Sequence, residues 1–124
     1  MIHSLSRLGA FTAITFALAA TAAFAQTDDE MLELGREVFL ERAEPACGLC
    51  HTLADAETEG GIGPILDDLQ PSTDQVRLAV TLGVGPMQPY TALSEEEIEA
   101  LAFYVATATG GTVSELEDDA EAVE

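Results

Sequence analysis

The stretch PACGLCHTL, residues 45–53, gathers Cys47, Cys50 and His51 in a chain with only two cysteines and two histidines. Thiols and imidazoles are the usual soft nucleophiles and metal donors of a protein, so their clustering restricts what the rest can be. A disulfide between Cys47 and Cys50 would close a very small loop and remove little unfolded-state entropy. A zinc site would need a fourth donor beside these three. No second Cys or His pair exists, so a carboxylate would have to serve. A thiol–disulfide exchange motif belongs at a strand-to-helix turn in a βαβ unit. Here a helical pattern and Pro45 come first, and no strand-like run follows.

The first 25 residues stand apart. MIHSLSRLGAFTAITFALAATAAFA has a positive start at Arg7, an apolar run from Leu8 to about Ala20, and Ala23-Phe24-Ala25. This is the layout of a secretory signal with an A-x-A cleavage site. The rival, an uncleaved membrane anchor, needs about 20 apolar residues. Cleavage after Ala25 is the expectation, with export to the periplasm and no stable membrane insertion. His3 and Arg7 leave with the signal, which makes His51 the only histidine and takes the formal charge from −19 to −20.

That charge excludes partners. The chain has no lysine, and only Arg36, Arg42 and Arg77 remain after the signal. Nucleic acid binding needs clustered cations to neutralise phosphates. Anionic membrane surfaces repel such a chain equally. A partner with a positive face suits it, with association that slows as salt rises.

Residues 28–42, DDEMLELGREVFLER, read as a helix with Asp28, Asp29 and Glu30 at the positive end of its dipole. Met31, Leu34 and Val38 follow its apolar stripe, beside Gly35 and Phe39. Residues 54–71 read as loop, broken by Gly60, Gly61, Gly63, Pro64 and Pro71. A second helix is expected over Thr73–Leu82, with Ser72 and Gln75 as a capping box and Gly83 as its stop. Residues 83–90, GVGPMQPY, read as loop. A third helix starts at Ser94 with Glu97 as capping partner and ends at Gly110-Gly111. No convincing strand emerges. Residues 26–111 form one small all-α domain of three or four helices with long loops. Residues 112–124 are an acidic tail expected to lack structure.

C-x-x-C-H is the signature of c-type haem attachment. Two thiols add across the two vinyl groups of one haem, and the histidine that follows is brought to the iron. A haem also supplies the apolar bulk that so short a chain lacks. The iron's other face requires a ligand. Met31 sits on the apolar stripe of the first helix, where packing explains it. Met87 lies in a Gly/Pro loop 36 residues beyond His51. It is either a gap-filler or, given an attached haem, the thioether of a His/Met electron-transfer site. In that case His51 and Met87 are the metal ligands.

With CGLCH at 47–51, GIGP at 61–64 and GVGPMQPY at 83–90, the chain resembles the class I monohaem c-type cytochromes over about residues 31–109. That resemblance implies a small cytochrome c fold wrapped around one covalently attached haem c. It implies that the Pro64 carbonyl accepts a hydrogen bond from the His51 ring. Gly35 and Phe39 would pair with Leu101 and Tyr104 where the terminal helices cross, with Gly35 allowing close approach. Tyr90 would reach a haem propionate, and Arg77 would either do the same or be solvated. Gln88 departs from the family, which commonly has proline directly after the methionine.

More narrowly, GREVFLERAEPACGLCHTLADA, GPILDDL and LSEEEIEALAFYVA are similar to cytochrome subunits of bacterial sulfite dehydrogenases. This implies an electron carrier, not an enzyme by itself. Its partners would be a molybdenum-cofactor dehydrogenase subunit and a downstream basic cytochrome or oxidase. A free shuttle between respiratory complexes is the alternative, and a thiol–disulfide oxidoreductase the more remote one.

Overall fold

A computed structural model describes residues 26–114. The expected signal, residues 1–25, and residues 115–124 of the tail lie outside them. Among the described residues, four α-helices are joined by loops and one two-residue β-ladder: α1 (Asp28–Glu37), β1 (Thr52–Leu53), β2 (Thr58–Glu59), α2 (Leu66–Leu69), α3 (Thr73–Leu82) and α4 (Glu95–Thr109). Among the described residues no helix is long and apolar enough to cross a membrane.

Each of the three longer helices begins with a capping box. Thr27 pairs with Glu30, Ser72 with Gln75 and Ser94 with Glu97. In each pair the hydroxyl accepts the third helical N–H while the Glu or Gln accepts the cap's own N–H, so two orphan donors are satisfied at once. Gly83 and Gly110 end α3 and α4 in left-handed or related positive-φ backbone.

The chief packing is the crossing of α1 on α4. A Cβ on Gly35 would collide with the Ala100 carbonyl oxygen and the Tyr104 Cβ, and would stand 2.7 Å from the Ala100 carbonyl carbon. The two backbones therefore meet at the one residue of α1 that has no side chain. Phe39 then stacks edge-on against Tyr104, ring centroids 6.2 Å apart at 66°. Phe39, Leu101, Val38 and Leu53 are the largest fully enclosed side chains. The Tyr104 hydroxyl donates to the Asp55 carboxylate at 2.6 Å, which ties the β-ladder turn to the crossing. Arg42 bridges Glu37 and Glu97, and Arg77 forms a two-pronged pair with Glu99 at 2.5 and 2.6 Å.

Four local expectations are corrected. The first helix does not run evenly to Arg42: α1 ends at Glu37, and Val38–Arg42 form a wider π-helical turn closed by Ala43 N–H to the Val38 carbonyl. Val38 and Phe39 at the start of that turn are both buried. The 54–71 loop contains β2 and the single turn α2, which buries Leu66 and ends at Gln70 with φ 47°. The ladder pairs Thr52 with Glu59 and Leu53 with Thr58, too short for any periodic signal. The start of the tail is packed: Thr112 and Ser114 hydrogen-bond to Thr73.

Gly35→Ala should destabilise the folded holoprotein by about 2 kcal/mol or more, the cost of overpacking an enclosed site. For a domain of this size that is a fall of about 10 °C in Tm. Thermal unfolding followed by circular dichroism checks it; an unchanged Tm would mean that the helices are not held this close.

Candidate haem site

The cysteine motif sits on a tight turn. Cys47–Leu49 form one 3₁₀ turn, and the Cys47 carbonyl accepts both the Cys50 N–H at 3.1 Å and the His51 N–H at 3.0 Å. The turn brings Cys47, Cys50 and His51 into the lining of one cavity. The chain then folds back on itself. The Cys50 carbonyl accepts the N–H groups of Ile62 and Gly63 at 3.1 and 2.7 Å. The Thr58 hydroxyl donates to the His51 carbonyl at 3.0 Å, and the Thr52 hydroxyl to the Gly60 carbonyl at 3.1 Å. These bonds make residues 60–64 a cover for the imidazole.

His51 Nδ1 lies 2.8 Å from the Pro64 carbonyl oxygen. A carbonyl can only accept, so Nδ1 carries the proton and, in the neutral ring, Nε2 keeps its lone pair for a metal. Gly63 is pressed against the same ring: a Cβ there would be 2.5 Å from Cε1 and 2.8 Å from Nδ1. No larger residue fits without turning the imidazole.

Met87 enters the cavity from a separate loop. Val84 and Met87 exchange backbone hydrogen bonds at 3.0 and 2.9 Å around Gly85-Pro86, forming a tight turn. The Tyr90 N–H donates to the Val80 carbonyl at 2.9 Å, fastening the loop to the last turn of α3. Met31 is half-buried in α1 and does not line the cavity.

One expectation for a polar side chain is corrected, that for Arg77. The Tyr90 hydroxyl donates to the Pro45 carbonyl at 2.9 Å. Its half-buried ring lines the cavity. Arg77 neither lines the cavity nor is merely solvated: Glu99 and Asp74 hold it between α3 and α4. Gln88, the departure from the family pattern, reaches the Glu44 carbonyl at 3.4 Å. With Tyr90 it ties the methionine loop to the segment just before Cys47. Nothing local in the sequence marks Thr52, Thr58 or Gln88 for these roles, since each acts across a fold-dependent distance.

The cavity has a volume of about 540 Å³, within the range of about 300–1,000 Å³ usual for cofactor pockets. Phe39, Leu66, Val76, Val80, Leu101 and Val105 form its apolar walls, and no Asp, Glu, Lys or Arg lines it among the described residues. Two thiols, an imidazole with a free lone pair and a thioether in an otherwise apolar cavity fit a haem. They do not fit thiol exchange. Burial pushes the Cys47 thiol up to about 11, whereas exchange chemistry uses thiols with lowered values.

The family described as "Cytochrome C oxidase, cbb3-type, subunit III" matches residues 30–105. Among solved structures, the c-type cytochrome SorU from Sinorhizobium meliloti is similar at 55% sequence identity. The match covers 69% of this chain and 99% of SorU, with a TM-score of 0.65. No curated protein sequence matches. The chain belongs to the c-type cytochromes, electron-transfer proteins that carry covalently bound haem c.

Proposed function

We propose that this cytochrome is a periplasmic one-electron carrier in which Cys47 and Cys50 hold the haem and His51 and Met87 ligate its iron. The observation that carries the reading is the fixed His51 ring: its Nδ1 is committed to Pro64 and its Nε2 is left for the metal. Met87, offered to the same cavity from the Val84–Met87 turn, supplies the second donor. When bound, the haem supplies a one-electron ferric/ferrous couple. The chain's part would be to present His51 and Met87 as donors and to surround the group with apolar walls. A thioether in the sixth position raises the potential relative to a second histidine. The signal-like layout of residues 1–25 supports export.

The chain is not an enzyme by itself in this reading; it accepts electrons from a dehydrogenase. The narrower sequence similarity supports a molybdenum-cofactor dehydrogenase that oxidises sulfite, with a basic cytochrome or oxidase as onward acceptor. The surface supports a docked subunit over a free shuttle. Ile62, Leu69 and Val84 line the cavity and stay exposed, and Leu78 and Leu82 lie exposed four residues apart on α3. Arg42 and Arg77 are both paired with carboxylates. The complementary partner face is an apolar centre ringed by lysine and arginine.

Native purification with metal analysis tests the assignment. Iron eluting with molybdenum is the expected result; iron alone, in a monomer, would favour the shuttle. Met87→Ala should keep the haem covalently attached, lower the reduction potential and let added imidazole bind the ferric iron. An unchanged potential with no imidazole binding would remove Met87 from the ligand set. Cys47→Ser should impair covalent attachment, seen as loss of haem stain on denaturing gels. Leu82→Glu should slow electron transfer from the dehydrogenase about tenfold by placing a charge in the contact centre, with the isolated protein's potential unchanged. A rate equal to wild type would move the docking face elsewhere.

A further inference from the structure

We infer that residues 110–114 form a clasp that holds the α3 wall of the haem cavity shut, with Thr73 as its positioning residue. The first N–H groups of a helix have no partner inside it. In α3 the Thr73 N–H finds one outside, the Thr112 carbonyl at 3.0 Å. The Thr73 hydroxyl accepts the Ser114 N–H at 3.0 Å and faces the Ser114 carbonyl at 3.3 Å. The Ser114 hydroxyl reaches the Asp74 carboxylate at 3.3 Å, and the Gln70 amide donates to the Thr109 carbonyl at 3.1 Å. Gly111 abuts the Pro71 carbonyl so closely that no Cβ fits, with the Gln70 carbonyl oxygen 2.9 Å from that position. Thr73 is 2% exposed, so these hydrogen bonds are shielded from competing water.

The clasp bears on the haem through α3. Pro71, Gln75, Val76, Ala79 and Val80 line the cavity, so this helix is one of its walls. Its far end carries the methionine loop, through Tyr90 N–H on the Val80 carbonyl. The near end is held by the clasp and its own capping box, and one turn further on Arg77 pairs with Glu99 of α4. Releasing residues 112–114 lowers the cost of swinging this wall outward, a local opening of the kind seen in native-state exchange. Water admitted beside the haem favours the ferric state and lowers the potential. The inference rests on haem occupying the cavity, and not on which residue is the sixth ligand.

The test compares two shortened holoproteins, one ending at Gly111 and one ending at Ser114. Both lack every acidic residue of the tail, so they differ only in three uncharged residues. The form ending at Gly111 should show a lower potential. Its Val76, Ala79 and Val80 amides should exchange at least about fivefold faster, since the hydrogen bonds of Thr112 and Ser114 to Thr73 and Asp74 are lost together and even one is worth about 1 kcal/mol. The form ending at Ser114 should match the full chain in those exchange rates. Thr73→Val should reproduce the loss in the full-length holoprotein, and Thr73→Ser should restore it. Equal potentials and equal α3 exchange in the two shortened forms would overturn the clasp. If the shorter form loses its haem, the Thr73→Val and Thr73→Ser pair decides: identical behaviour of the two overturns it. A colourless full chain would refute the haem reading itself, a separate failure.

Discussion

The hydrogen bond from His51 Nδ1 to the Pro64 carbonyl is the constraint on which the site depends. An imidazole on a short loop can rotate about two bonds. Ligation requires one ring nitrogen to hold a lone pair in a fixed direction. The Pro64 carbonyl selects the tautomer, and Gly63 lets the backbone lie close against the ring. The backbone that presents these groups is itself anchored, since Ile62 and Gly63 both donate to the Cys50 carbonyl. Thus the proposed attachment residues and the groups that orient His51 are one continuous hydrogen-bonded unit. In the proposed site, disturbing Pro64 or Gly63 would act on the iron through His51.

The rest of the architecture solves a size problem. A domain of about 100 residues buries a modest core and is marginal by itself. Here the α1–α4 crossing supplies a tight knot around Phe39, Leu101 and Tyr104. The other half of the apolar interior is the cavity, whose walls share Phe39 and Leu101 with that knot. Haem therefore completes the core as well as the chemistry. Loss of the haem would leave these walls facing water, which the proposed attachment through the buried Cys47 would prevent.

The haem site was largely legible in the sequence because its chemistry is local. Cys47, Cys50 and His51 are adjacent, and their spacing alone excludes most alternatives. Two of the three capping boxes were legible for the same reason: Ser72–Gln75 and Ser94–Glu97 are contacts within one turn. What escaped reading depends on distance along the chain. The π-helical turn at Val38–Arg42 interrupts a helical pattern that continues unbroken in the sequence. The Tyr90 hydroxyl's contact with the Pro45 carbonyl carries no sequence signal. Arg77 was legible as a cation but not as the partner of Glu99 on another helix. The packing of Thr112 and Ser114 was hidden by the acidic composition that follows them.

Proton NMR of the reduced holoprotein tests the account most directly. A thioether methyl lying over a porphyrin face is shifted far upfield by the ring current. Ligation by His51 and Met87 predicts one such three-proton resonance, assigned to the Met87 ε-methyl by its loss in Met87→Leu, together with ring protons of a single bound histidine. Methionine methyl signals all at ordinary positions in a haem-loaded protein would contradict it, since the iron would then be held without Met87.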